Sequence, residues 1–120
     1  SVVTALMKDF VKKISKIDQS LEIHISESHN KSKKDAPSGT AKDFARILQL
    51  STDKIEFDRT DEDKNSHKIA LSNNFESLEL CHDTANRSIY AQGALNIAKW
   101  FYQRPKNLYY MQTLIEEIHE

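Results

Sequence analysis

The chain has 120 residues, 38% of them hydrophobic and 29% charged, and its formal net charge at pH 7 is −1. This length is sufficient for one domain with a core and leaves little room for a second. A chain so close to neutrality has no overall field that would attract nucleic acid or a membrane surface, and none of its apolar segments is long enough to span a bilayer.

The first third of the chain predicts a helix, a strand and a polar loop. Apolar residues recur at helical spacing over residues 3–17, and Ser1 stands where a helix cap is expected. Apolar and polar residues then alternate over residues 21–26, as they do in a half-buried strand. Residues 27–37 are expected to form a loop, because the residues before Pro37 are disfavoured in a helix.

The remaining elements are two long helices, three short strands and a short last helix. The first long helix begins at Ser38 or Thr40 and ends near residue 49. Alternation predicts strands over residues 54–57, 67–72 and 75–82, with a charged tip over residues 59–66. Further helices are predicted over residues 88–103 and from about Thr113, whose spacing to Glu116 is that of a capping box.

This order of elements indicates an α+β domain. We expect a mixed, mostly antiparallel sheet of about four strands with the helices on one face. Ala91, Gly93 and Ala94 are small, which would let the second long helix lie close to the sheet or to another helix. The lone Cys81 stands in an apolar run and is expected to be buried, in a chain from a reducing compartment, the cytoplasm.

The stretch over residues 27–42 concentrates donor groups, and its sequence is ESHNKSKKDAPSGTAK. Ser38, Gly39 and Thr40 precede a helix whose first backbone N–H groups lack partners within the helix. Gly39 would let a ligand approach the backbone, and the two hydroxyls add donors, so a carboxylate or a phosphate would fit there. The same residues are also compatible with an ordinary helix cap after a Pro–Gly turn.

Two further residues of this stretch could act on a bound anion. Lys33 and His29 are four residues apart in a segment that is not expected to be helical, so they could bind a dianion or supply a proton. A lysine near other cations has a lowered pKa, which makes it a better acid. Alternatively, Lys31, Lys33 and Lys34 form a solvated run of charge.

The other polar and aromatic residues do not indicate a metal site or a nucleic-acid surface. His82 and His119 have no cysteine or carboxylate at a repeating ligand spacing, so no metal site is assigned. An aromatic cluster near the end of the chain predicts a core or a subunit interface rather than a nucleic-acid surface, since few basic residues lie nearby. Its members are Trp100, Phe101, Tyr102, Tyr109 and Tyr110.

The whole string resembles the signature of the dihydrodipicolinate reductase family. That signature reads Glu-any-His-His, two variable residues, Lys, one variable residue, then Asp-Ala-Pro-Ser-Gly-Thr-Ala, and the chain matches it at Glu27, His29, Lys33 and over residues 35–41. Arg59 and His67 have the spacing of a second family segment, Arg-Gly-Gly…Gly-Glu-His. Residues 82–95 and 108–111 resemble two further segments, the first of which contains Arg87.

The resemblance implies an enzyme that transfers hydride from NADH or NADPH to a cyclic dicarboxylate, converting 4-hydroxy-tetrahydrodipicolinate to tetrahydrodipicolinate in diaminopimelate and lysine biosynthesis. It covers nearly all 120 residues, but only the family's C-terminal substrate-binding and oligomerisation domain, which resembles that of glyceraldehyde-3-phosphate dehydrogenase. Two glycines cannot form a dinucleotide fingerprint, so the N-terminal cofactor-binding domain has no counterpart here and this chain alone is expected to be inactive.

The resemblance also implies a role for individual residues. Ser38, Gly39 and Thr40 would bind one substrate carboxylate, and Asn30, which replaces the family's second histidine, would contact polar groups of the substrate. Lys33 and His29 are the candidates for the proton donor, with Lys33 the first choice. Arg87 would support the site, no residue of this chain would bind cofactor, and the domain would assemble into a homotetramer through its sheet.

Two other functions are compatible with the sequence. Asn30 and the replacement of family glycines by Thr60, Asp61 and Asn65 would fit a non-catalytic domain that retains the fold for dicarboxylate binding or assembly. A general phosphate-binding module is the third hypothesis, since a helix N-terminus accepts either anion.

Overall fold

The structure, a computed structural model, describes the backbone of residues 1–118, so the predicted interpretation of His119 lies outside the described residues. Four helices, four strands and one 3₁₀ turn follow each other along the chain. They are α1 (Val2–Ile17), β1 (Glu22–Asn30), α2 (Gly39–Ile47), the 3₁₀ turn (Thr52–Lys54), β2 (Glu56–Thr60), β3 (Asn65–Ser72), β4 (Ser77–Thr84), α3 (Ser88–Tyr102) and α4 (Met111–Ile118).

The strands form one mixed sheet in the order β2-β1-β3-β4. Only β1 and β2 pair in parallel, and the other two pairings are antiparallel. A parallel pair requires a crossover connection, which α2 and the 3₁₀ turn supply. The predicted α+β fold, with a mostly antiparallel sheet of about four strands, is confirmed.

The core lies between one face of this sheet and helices α1 and α2. The odd-numbered residues over 25–29 of β1 and over 67–71 of β3 are buried, whereas their even-numbered neighbours are at least partly exposed. Phe44 of α2, Ile69 and Leu71 of β3, and Val11 of α1 are its largest fully buried side chains. Their burial at helical and strand spacing explains why the periodicity predicted these elements.

Two helices, α1 and α2, begin at cap residues that the sequence predicted. The Ser1 hydroxyl accepts a hydrogen bond from the Thr4 amide, and the Ser38 hydroxyl accepts one from the Ala41 amide. Ser38, not Thr40, is therefore the cap of α2. Helix α4 begins at Met111, so Thr113 lies inside its first turn rather than at its cap.

Strand β1 is longer than predicted, and this changes the position of several site residues. Residues 27–30 belong to the strand and not to a loop, because each of them pairs with β2 and the first two also pair with β3. Arg59 and Thr60 likewise end β2 instead of starting the charged tip. Polar residues on the buried face disguised these strand ends, since a strand is recognised by apolar alternation.

Two expectations about burial are wrong. Cys81 is exposed, because it lies opposite Lys68 on the sheet face that the helices do not cover. Helix α3 has no buried side chain, and no atom approaches within 4 Å of the position that a Cβ at Gly93 would occupy. The small residues of α3 are therefore not used for close packing within the described part of the chain. None of the described helices has the length and apolar character needed to cross a membrane.

Candidate functional site

One cavity of about 560 Å³ is lined by every residue for which the sequence predicted a catalytic or substrate-binding role. The end of β1, the loop after it and the starts of α2, β3 and α3 meet there. The cavity is lined by His29, Asn30, Ser32, Lys33, Ser38, Gly39, Thr40, Asn65, His67, Arg87 and Tyr90. Their individual roles remain predictions, but the fold brings them together.

The first turn of α2 presents two backbone donors to this cavity. Within the described residues, the N–H groups of Gly39 and Thr40 have no hydrogen-bond partner, whereas those of Ala41 and Lys42 bond to Ser38. The position of a Cβ on Gly39 would meet nothing within 4 Å, so a ligand can approach the backbone closely. Free amides and the positive end of the helix dipole make this turn an anion-binding element.

Ser38 lies behind that turn rather than in it. The residue is 2% exposed. Its backbone N–H donates to Glu27 Oε1 at 2.9 Å, and its hydroxyl donates to Glu27 Oε2. Both of its donors are therefore used within the protein, and Gly39 and Thr40 supply the donors that face the cavity.

Glu27 is the buried centre of the site, and its side chain has no exposed surface. Besides the two bonds from Ser38, its Oε1 accepts from Arg59 Nη2 at 3.3 Å, and its Oε2 lies 3.5 Å from His67 Nε2. Burial acts to raise the pKa of Glu27, but hydrogen bonds from His67 and Ser38 outweigh it and lower the pKa to about 2. The carboxylate is therefore charged at neutral pH.

Two histidine rings contact each other above this carboxylate. His29 and His67 meet edge to face, with ring centroids 4.9 Å apart. His67 Nε2 lies 3.1 Å from Ser38 Oγ, and because the one hydroxyl hydrogen of Ser38 goes to Glu27, His67 must carry the donor hydrogen on Nε2. This contact follows from register, since Glu27 on β1 lies opposite His67 on β3.

His29 is the less satisfied of the two rings. It is 4% exposed, its Nδ1 lies 3.7 Å from Glu27 Oε2, and that nitrogen has no hydrogen-bond partner within the described residues. Burial lowers the pKa of His29, and the Glu27 carboxylate offsets this only in part. The ring is therefore neutral at pH 7.

Lys33 and Asn30 form the polar rim of the cavity. Lys33 Nζ pairs with Asp35 Oδ1 at 2.9 Å, and its side chain is 31% exposed. The Asn30 amide joins two loops, because its Oδ1 accepts from the Ser32 amide at 2.9 Å and its Nδ2 donates to the Glu62 carbonyl at 3.2 Å. The polar groups of Asn30 are thus already engaged, while the Lys33 ammonium remains accessible.

The start of α3 adds Tyr90, and Arg87 just before it, to the lining of the cavity. Arg87 is exposed just before the helix, and the part of the chain that the structure describes offers it no ion pair. Tyr90 lies one turn further along and also lines a neighbouring cavity of about 270 Å³. A second anionic group in the main cavity could reach the guanidinium of Arg87.

Sequence reasoning gave no role to Glu27, Arg59, Asn65, His67 or Tyr90. The available signal for Glu27 was strand alternation, since Glu27 and His29 share a face once β1 extends to Asn30. Among the described residues, Glu27, His29 and His67 offer possible metal ligands within 4.8 Å of one another. Arg59 and Ser38 already occupy both oxygens of Glu27, so the set fits charge pairing better than a cation.

The fold and the site define an α+β domain that presents an anion-binding helix terminus beside a lysine and a buried histidine pair. The profile of the family described as "Dihydrodipicolinate reductase, C-terminus" matches residues 3–115. The chain belongs to this family.

Two relatives and one solved structure show the extent of the similarity. The 4-hydroxy-tetrahydrodipicolinate reductase of Methanoculleus marisnigri is 30% identical over 78% of this chain and 44% of its own length. The reductase of Methanoregula boonei is 28% identical over 96% of this chain and 52% of its own length. The chain thus spans about half the length of these relatives.

The solved structure is that of dipicolinate-bound dihydrodipicolinate reductase from Paenisporosarcina sp. TG-14. It superposes with a TM-score of 0.67, at 21% identity, over 77% of this chain and 43% of the other. At that identity the likeness shows the fold alone, and it agrees with the mixed four-stranded sheet described above.

Replacing Glu27 by Gln should reduce the sensitivity of the fold to acid. The folded pKa of about 2 lies below the ordinary value of 4.5, so the stability that Glu27 contributes is complete above pH 4.5 and is lost as pH falls toward 2. Between pH 6 and pH 3.5 this group alone accounts for about 1.4 kcal/mol. Urea unfolding at both pH values measures the loss.

The free energy of unfolding of the wild type should therefore fall by about 1.4 kcal/mol more than that of Glu27→Gln over this pH range. Glu79→Gln is the matched control, because that side chain is 63% exposed and should leave the acid dependence near that of the wild type. Equal losses in the wild type and Glu27→Gln would contradict the assignment of a charged, buried Glu27.

Proposed function

We propose that the chain is the substrate-binding half of a cytoplasmic NAD(P)H-dependent reductase that converts 4-hydroxy-tetrahydrodipicolinate to tetrahydrodipicolinate in diaminopimelate and lysine biosynthesis. The observation that carries the proposal is the single cavity that unites the free amides of Gly39 and Thr40 with Lys33 and His29. The names of the relatives support the reaction, and the dipicolinate bound to the similar reductase structure supports a cyclic dicarboxylate as the ligand.

In this proposal one substrate carboxylate accepts hydrogen bonds from the Gly39 and Thr40 amides at the start of α2. Ser38 takes part indirectly, because its hydroxyl and its amide hold the turn against Glu27. Arg87, which lines the same cavity and has no ion pair within the described residues, supplies the positive charge for the second carboxylate. A ring that carries two carboxylates fits a cavity that is lined by both the α2 turn and Arg87.

Lys33 is the proposed donor of the proton that accompanies the hydride: the conversion takes up one hydride and one proton, and the 4-hydroxyl group of the substrate leaves as water. Its ammonium lies at the cavity rim and is held by Asp35, whereas His29 is neutral at pH 7 and therefore has no proton of ordinary acidity to give. The hydride comes from NADH or NADPH, which would be bound by an N-terminal dinucleotide-binding domain outside these 120 residues. Within this chain we assign no cofactor-binding residue.

A non-catalytic domain is the second candidate, and one observation favours it. The Asn30 amide is engaged in holding two loops, so the position that carries the family's second histidine serves a structural purpose here. Such a domain would keep the anion-binding turn and bind a dicarboxylate without turnover.

The isolated chain should bind pyridine-2,6-dicarboxylate more tightly than phosphate and should reduce nothing. Two carboxylates can engage the α2 turn and Arg87 at once, whereas phosphate can engage only one of them. Calorimetry measures both affinities, and the absorbance of NADH or NADPH with fresh substrate measures turnover. Tighter binding of phosphate would favour a general phosphate-binding module. Clear turnover by the isolated chain would contradict the proposal that the cofactor is bound by a domain outside these 120 residues.

Lys33→Ala in the full-length protein should lower turnover by about 100-fold or more, the usual contribution of a general acid. Lys31→Ala is a close control, because Lys31 lies in the same loop and also pairs with an aspartate, Asp61, at 2.9 Å. It should change turnover less than about twofold, as exposed ion pairs contribute little. Similar turnover rates for the two variants would contradict this role and would mean that Lys33 is only part of a solvated run of charged residues.

We also propose a homotetramer in which α3 and the uncovered sheet face lie between subunits. The apolar side chains of α3 support this, since Leu95 is 60% exposed and Tyr102 is 91% exposed. Sedimentation at micromolar concentration should give the mass of four chains, and Leu95→Glu should dissociate them. A stable wild-type monomer would rule this assembly out.

A further inference from the structure

We propose that Arg59 is a positioning residue that fixes the loop carrying Lys33, an inference that rests on the proposed role of Lys33 as proton donor. Arg59 does not line the cavity, so it does not contact the substrate itself. Its guanidinium joins three segments of the chain: the end of β2, the buried carboxylate on β1 and the loop between β1 and α2.

The geometry of Arg59 supports this bridge. Its Nη2 donates to the Asp35 carbonyl at 2.6 Å and to Glu27 Oε1 at 3.3 Å, and its Nη1 donates to the Asp58 carbonyl at 2.7 Å. The side chain is 16% exposed. Arg59 reaches Glu27 because it lies opposite His29 in the parallel pairing of β1 and β2, on the buried face of the sheet.

The bridge reaches Lys33 through Asp35. The Asp35 carbonyl accepts from Arg59, and the Asp35 carboxylate pairs with Lys33 Nζ at 2.9 Å. Asp35 is thus bound twice. Its backbone carbonyl binds the buried Glu27–Arg59 pair, and its side chain binds Lys33, the proposed acid. The position of the ammonium relative to the α2 turn therefore depends on a contact outside the cavity.

Arginine suits this bridge because Nη1 binds the Asp58 carbonyl and thereby fixes Nη2 between Glu27 Oε1 and the Asp35 carbonyl. A guanidinium has five N–H donors in a rigid planar fork, whereas a lysine ammonium is a single charged point at the end of a flexible chain. Arg59→Lys keeps the positive charge near Glu27, but its one nitrogen ends a shorter, flexible chain and is not fixed at the Nη2 position between Glu27 and the Asp35 carbonyl. This variant therefore separates loop positioning from neutralisation of the buried carboxylate.

The test compares Arg59→Lys with the wild type in the full-length protein. The first measurement is the rate of trypsin cleavage after Lys31, Lys33 and Lys34, which reports opening of the loop without reference to activity. We expect the rate to rise by about tenfold, because the loop loses a contact that limits its local opening. Circular dichroism over the same period checks that the protein remains folded.

The second measurement separates kcat from KM for the reduction. We expect kcat to fall by about 10- to 100-fold, since a misplaced catalytic group is costly, while KM stays within about twofold because the α2 turn is unchanged. Arg46→Lys is the control, because Arg46 is 74% exposed and pairs with Asp43 on the surface. It should alter neither measurement.

Each outcome decides the proposal. Unchanged cleavage, unchanged kcat, or a fall in kcat/KM caused by KM alone would overturn it. An Arg59→Lys protein that unfolds would also overturn it, because Arg59 would then serve the stability of the whole domain. If the wild type shows no reductase activity, the proposed function fails, whereas the cleavage rates still decide whether Arg59 holds the loop.

Discussion

A carboxylate without exposed surface must be paired, because an isolated buried charge costs far more free energy than one contact returns. Glu27 meets this requirement with Arg59 on one side and Ser38 on the other. Arg59 belongs to β2 and Ser38 caps α2, so their contacts with Glu27 fix β2 and the first turn of α2 against the end of β1. The site depends on this one charge more than on any apolar contact.

The parallel pairing of β1 and β2 is what allows a single carboxylate to reach both segments. The chain leaves the end of β1, forms the loop and α2, and returns beside the same strand at β2. The parallel register places Arg59 opposite His29, and the start of α2 brings Ser38 to the same carboxylate. On the other side of β1, antiparallel register places His67 opposite Glu27 and His82 opposite His67, which gives one polar row across three strands.

The sequence predicted the order of elements, the α+β class and seven of the eleven residues that line the cavity, because apolar periodicity and a long, specific motif were both present. It failed where polar residues occupy the buried face. Glu27 and His29 interrupt the apolar alternation of β1, so the pattern ends the predicted strand at Ser26. A local pattern cannot reveal that such a residue will be paired by Arg59, more than thirty positions away along the chain.

Burial outside the core was also poorly predicted. Cys81 and the apolar residues of α3 are of types that are usually found in protein interiors. Within the described residues, Cys81 is exposed and α3 has no buried side chain. Hydrophobicity predicts that such a surface is to be covered but not by what. Only the three-dimensional arrangement distinguishes a helix that packs on its own sheet from one that extends away from it.

The position of α3 has a consequence for ligand binding. Its end is tied to α4, where Glu117 accepts from Trp100 Nε1 at 3.1 Å and pairs with Arg104, while its start carries Arg87 and Tyr90 to the cavity. Part of the cavity lining thus lies on a helix that has no buried side chain. A contact that turned α3 would therefore also change the width of the cavity.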